Sequence, residues 1–171
     1  THAQGGVFSI NHPLSAGDYW AWDGRGYDAT EIWNSYWGGP MNVVPAESVD
    51  NFEQVHGSVN PAIRLAMAWT ANGLEGAAFW EANLTAGRFI APVGGSDRHT
   101  MFMQGYPTTW VRAEARTVEG IIEGIRARHT FVTRSPAAPM IELTAAVGGT
   151  AMLAGDVGVY AQGVSAAVAV R

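Results

Sequence analysis

Near the middle of the chain an apolar run, Val93-Gly94-Gly95-Ser96, leads into Asp97-Arg98-His99. Residues two apart on a strand point to the same side of the backbone. A strand through this stretch would therefore aim the Asp97 carboxylate and the His99 imidazole at one point. A hard oxygen and an imidazole nitrogen so placed suit a divalent cation such as zinc, manganese or iron. The glycines let the backbone turn sharply or approach a ligand closely. Two further groups of the same chemical kind sit on other short apolar runs. His12-Pro13 follows residues 6–10, and Glu31 and Asn34 lie within residues 29–34. Each has an ordinary reading too: a His before Pro is commonly a turn residue, an Asp beside a His a surface cap, and a Glu in an aromatic strand an edge charge. Metal-competent residues at the ends of all three runs exceed what chance supplies.

The elements that must carry these residues follow from periodicity and punctuation. Residues 6–10 and 29–34 read as short strands. Asn60-Pro61 is a helix start, and that helix runs through Ile63, Met67 and Trp69 to a C-cap near Gly73. Strands are predicted at 89–93 and 108–111. A helix capped by Thr117 and carrying Ile121, Ile122 and Ile125 comes next, then extended chain at 131–132. Up to about residue 135 this alternation predicts α/β architecture, in which catalytic and binding groups gather at the C-terminal ends of the strands. After Pro136 and Pro139 the composition shifts. Strands at 140–144, 150–153 and 164–170, with Gly-rich turns between them, predict a β-rich extension over residues 137–171.

Composition narrows the functional classes. With 171 residues, 47% of them hydrophobic and 15% charged, the chain has the make-up of a globular protein with a real core. A net charge of −5 argues against nucleic acid as the main partner. All ten basic residues are Arg, which excludes a Schiff-base lysine and fits a GC-rich bacterial coding bias. Without Cys there is no disulfide framework, thiolate metal site or cysteine nucleophile, so any metal is held by His, Asp and Glu. No apolar run approaches the roughly 20 residues of a membrane span, so a soluble protein, cytoplasmic or exported, is expected. The chain opens on Thr1 without Met and closes on a strand-like run at 166–171, so both ends are expected to be cut.

The ordered set Gly5-Gly6-Val7-Phe8-Ser9-Ile10-Asn11-His12-Pro13, Ala29-Thr30-Glu31-Ile32-Trp33-Asn34 and Ala91-Pro92-Val93-Gly94-Gly95-Ser96-Asp97-Arg98-His99 resembles the polymerase-and-histidinol-phosphatase (PHP) domain. Within it, the likeness is to the carbaryl-hydrolase-like (CehA/McbA) metallohydrolases. Gly105-Tyr106-Pro107-Thr108-Thr109-Trp110-Val111, continuing through Thr117 to Thr130-Phe131-Val132-Thr133, carries the likeness on, so that it covers roughly residues 5 to 136. The resemblance implies the C-terminal part of a distorted (βα)7 barrel, with a two- or three-metal centre at the strand C-termini. It makes His12, Asp97 and His99 metal ligands, with Asp97 and His99 catalytic and Asp97 also able to take a proton from water. Glu31, Asn34 and Trp33 fall beside the site, in substrate-orienting or ligand-supporting positions. Arg98 is expected to point away from the metals, and Ser96 to hydrogen-bond a ligand carboxylate.

The chain departs from the family in lacking the N-terminal His-x-His, a later His and a bridging Glu. Those ligands would lie upstream of Thr1, in a missing N-terminal half of the same barrel. His2 is the one residue before His12 with the right chemistry, and no role is assigned to it. Three ligands can hold one metal with water in the fourth position, but a bridged pair needs the absent residues, so the isolated fragment is expected to be inactive.

The implied activity is metal-dependent hydrolysis of a small-molecule ester, foremost a phosphate ester, by water whose pKa zinc, manganese or iron lowers towards about 7. Two or three such ions are expected in the full-length protein. A carbamate, carboxylic ester or amide substrate is the alternative. The aromatic-rich stretch holding Tyr19, Trp20, Trp22, Tyr27, Trp33, Tyr36 and Trp37 favours it if those rings wall a substrate pocket rather than pack a core. A third reading is a non-catalytic, degenerate PHP scaffold or binding module. His56 and His129 read as ordinary surface or core residues, and Glu114, Glu119 and Glu123 as a solvated face or turn.

Overall fold

A computed structural model describes residues 2–11, 13, 26–34, 75–98 and 104–171. The chain is mixed α/β. Strands β1 (Ser9–Ile10), β2 (Ala29–Asn34) and β3 (Ala91–Gly95) form a parallel sheet in that order. Helix α1 (Glu75–Thr85) precedes β3 and packs on β2. Strands β4 (Thr108–Val111) and β5 (Thr130–Thr133) pair antiparallel, joined through helix α2 (Val118–Arg126). The last sheet is antiparallel, in the order β7 (Thr150–Leu153), β6 (Leu143–Val147), β8 (Ala166–Val170). Among the described residues no barrel closes, and the antiparallel β4–β5 pair stands where a regular (βα)7 barrel has parallel strands. The helix expected from Asn60 to Gly73 lies outside the described residues.

Local sequence explains most of these elements. Thr117 caps α2, its hydroxyl accepting from the Gly120 amide, and Ile122 and Ile125 fall one turn apart beside buried Gly124. Helix α1 carries no apolar stripe and is invisible to periodicity. Its buried face is Gly76, Phe79, Ala82 and Asn83, with a single large apolar residue. Asn83 is tolerated there because both ends of its amide are satisfied. Its Oδ1 accepts from the Tyr27 hydroxyl at 2.7 Å, and its Nδ2 donates to the Phe79 carbonyl at 2.9 Å. Tyr27 is thus a core residue, 8% exposed, with its ring tilted against Phe79. Gly87, at φ 76°, ends α1 in a Schellman motif: its amide bonds the Leu84 carbonyl and the Arg88 amide bonds that of Asn83.

The C-terminal sheet is fastened to the end of α2. Arg128 takes the left-handed position that glycine usually fills, at φ 62°. Its guanidinium compensates by donating to the carbonyls of Gly155 and Arg126, each at 3.0 Å. Beside it the His129 ring pairs with Asp156 at 2.8 Å, and Arg112 reaches Glu142 at 3.5 Å. His129 therefore joins two parts of the chain. The hydrogen bond from His129, then that from the Leu153 amide, holds the Asp156 carboxyl below its ordinary value of 3.8. A depressed carboxyl contributes stability above its unfolded pKa and loses it as pH falls through the folded one. Urea unfolding of wild type should therefore lose more stability between pH 5 and pH 3 than that of Asp156→Asn. Equal losses would show that this contact does not couple to folding.

Candidate functional site at the C-terminal edge of the parallel sheet

Because β1, β2 and β3 run parallel, the chain leaves all three at one edge, where Asn34 pairs with Gly95. Glu31 and Asn34 are three apart, which on a regular strand puts them on opposite faces. The register slips between Glu31 and Trp33. Glu31 opposes Val93 and Asn34 opposes Gly95, two residues further on, so Ile32 is the extra residue of a bulge. The slip turns Asn34 onto the face of Glu31, where its amide donates to the Glu31 carboxylate at 3.0 Å. Both are buried, 5% and 6% exposed. Trp33 remains 39% exposed.

The two glycines of β3 serve close approach on opposite faces. A Cβ on Gly95 would fall 2.7 Å from Glu31 Oε1, so the missing side chain leaves the space that this carboxylate occupies. A Cβ on Gly94 would fall 2.6 Å from Val132 Cγ1 and 3.1 Å from Pro107. Neither glycine has positive φ; the left-handed residue is Asp97 itself, at φ 45°. This corrects the geometric argument for Asp97 and His99. The strand stops at Gly95, so strand alternation does not reach Asp97, and its left-handed backbone directs the side chain instead. Asp97 and Ser96 are half-buried and Arg98 is exposed.

His12 and His99 lie outside the described residues, as do Tyr19, Trp20, Trp22, Tyr36, Trp37 and His56. Among the described residues no three His, Asp or Glu side chains group as a metal site. His2 pairs with Asp28 at 2.7 Å, and the same Asp28 oxygen accepts from the Phe8 amide. The described part is compatible with a metal in the chemistry of its donors: Asp97 carries a hard carboxylate oxygen just past β3, with the buried Glu31–Asn34 pair on the neighbouring strand.

Two residues with no catalytic pattern in the sequence also shape this edge. The Thr109 hydroxyl accepts from the Gly94 amide at 2.7 Å and donates to the Gly94 carbonyl at 2.8 Å. The Thr130 hydroxyl donates to the Pro92 carbonyl at 2.8 Å. Threonine in a strand is ordinary, so neither residue carries a signal that marks it out. Compared with protein-family models, curated proteins and solved structures, the chain matches nothing. Among the described residues, no helix is long and apolar enough to cross a membrane.

Proposed function

We propose that this chain carries part of the active site of a PHP-type metal-dependent hydrolase, with a phosphate ester as substrate. The supporting observation is the buried Glu31–Asn34 pair, brought onto one face by the β2 bulge and seated over Gly95, two residues before Asp97. A buried carboxylate held by an amide over a glycine gap, at the C-terminal edge of a parallel sheet, supports the reading of a site, because catalytic and binding groups gather at that edge.

In this reading His12, Asp97 and His99 would hold a divalent cation (zinc, manganese or iron), and the ion would supply Lewis-acid chemistry. The chain's own residues do the rest. Asp97 accepts a proton from the attacking water as general base. The Asn34 amide fixes the Glu31 carboxylate beside the strand that leads to Asp97, a ligand-supporting position. Three such ligands would suffice for one ion with water in the fourth position, whereas a bridged pair needs residues that this sequence does not contain.

Chelating the full-length protein should abolish hydrolysis of an aryl phosphate, and manganese or zinc should restore it. An aryl carbamate assayed in parallel decides the substrate class: metal-restored turnover of the carbamate alone would replace the phosphoesterase reading. Turnover of neither substrate by the full-length protein with either metal would overturn the hydrolase.

A further inference from the structure

Strand β3 has a neighbour on each side, but only one of them forms a ladder. The Ala91 amide bonds the Asp28 carbonyl, so Ala91, Val93 and Gly95 turn their backbone groups towards β2. In a parallel strand the alternate residues, Pro92 and Gly94, then face outward. Proline offers no amide, so the outward set is two carbonyls and one N–H. These three groups are the ones that Thr109 and Thr130 bond, from β4 and β5 respectively. Two hydroxyls thus stand in for a strand ladder. Thr130 is itself buried, 6% exposed, and Val132 and Pro107 approach so closely that a Cβ at position 94 would fall 2.6 and 3.1 Å from them. Just past this clamp the chain turns left-handed at Asp97.

We propose that Thr109 is a positioning residue, supported by Thr130. By fixing both backbone groups of Gly94 it holds the 95–98 segment and aims the Asp97 carboxylate. The inference rests on the reading of Asp97 as a metal ligand, and the test separates the two. Thr109→Val keeps the shape and removes both hydrogen bonds, whereas Thr109→Ser keeps the hydroxyl.

Manganese(II) affinity is measured by titration calorimetry, with amide hydrogen exchange on the same samples. The expected result is Mn2+ binding weakened about 10- to 100-fold in Thr109→Val, the range seen when support around a ligand is lost, and restored to within about threefold in Thr109→Ser. Thr117→Ala removes a distant helix cap and should leave Mn2+ affinity unchanged, which separates positioning from general destabilisation. Unchanged Mn2+ affinity in folded Thr109→Val overturns the proposal. If Thr109→Val does not fold, Thr130→Val, which loses a single bond, is read by the same criteria. If wild type binds no Mn2+, the metal reading fails and hydrogen exchange alone decides. Faster exchange over residues 95–98, with α2 unaffected, then supports the clamp, and unchanged exchange overturns it.

Discussion

Asp97→Asn is expected to lower metal-dependent hydrolysis by at least about 10³-fold, roughly 4 kcal/mol of transition-state stabilisation, while leaving the protein folded. Asparagine is chosen over alanine because Asp97 sits at φ 45°. Asn tolerates the left-handed region, whereas a residue without a short polar side chain loses on the order of 1 kcal/mol there. Asp97→Ala would therefore mix backbone strain with loss of the carboxylate. Asn keeps the size and one oxygen but cannot take a proton and binds a cation poorly. Steady-state turnover, with circular dichroism as the fold check, reads the result. Turnover of Asp97→Asn within about tenfold of wild type would remove Asp97 from the chemistry.

The second large effect is structural and lies under the same site. Gly76, in the first turn of α1, packs against the β2 bulge. A methyl there would fall 2.6 Å from Ile32 Cα and against the Glu31 carbonyl oxygen, both backbone atoms. No rotamer change relieves a clash with backbone, so helix and strand must separate. Gly76→Ala should destabilise the protein by about 3 kcal/mol, the upper range for overpacking, although alanine is the better helix former. It should also disturb the Glu31–Asn34 pair that the bulge creates. Gly87→Ala is the control. Its φ is 76° with nothing within 4 Å, so it meets only left-handed strain, about 1 kcal/mol. Urea denaturation distinguishes the two, and equal losses at both positions would mean that α1 does not press on the bulge.

Legibility in the sequence depended on how local each cause was. Strand β2 falls at the predicted residues 29–34, and α2 begins at the predicted Thr117 cap, because cap chemistry and isoleucine spacing are written within a few residues. Strands β1 and β3 are found where expected with shifted bounds. Helix α1 went unread because its buried face is Gly76, Phe79, Ala82 and Asn83, a pattern that makes sense only against the β2 backbone and the Tyr27 hydroxyl. The (βα)7 barrel remains an implication of resemblance, since what the described residues form is three separate sheets.

By itself the sequence determined which residues are candidates for chemistry, the absence of thiols and lysines, and the α/β then β-rich order of elements. Tertiary structure decided how those residues face one another. Residues three apart on a strand share a face only because Ile32 is squeezed into a bulge, and two glycines that look like a turn are gaps for the Glu31 carboxylate and for Val132. The hydroxyls of Thr109 and Thr130 matter because the outward groups of β3 have no ladder partner. The reason is common to all three: composition and capping act within a turn or two of chain, whereas register, close approach and hydrogen-bond satisfaction are set by residues 15 to 64 positions away.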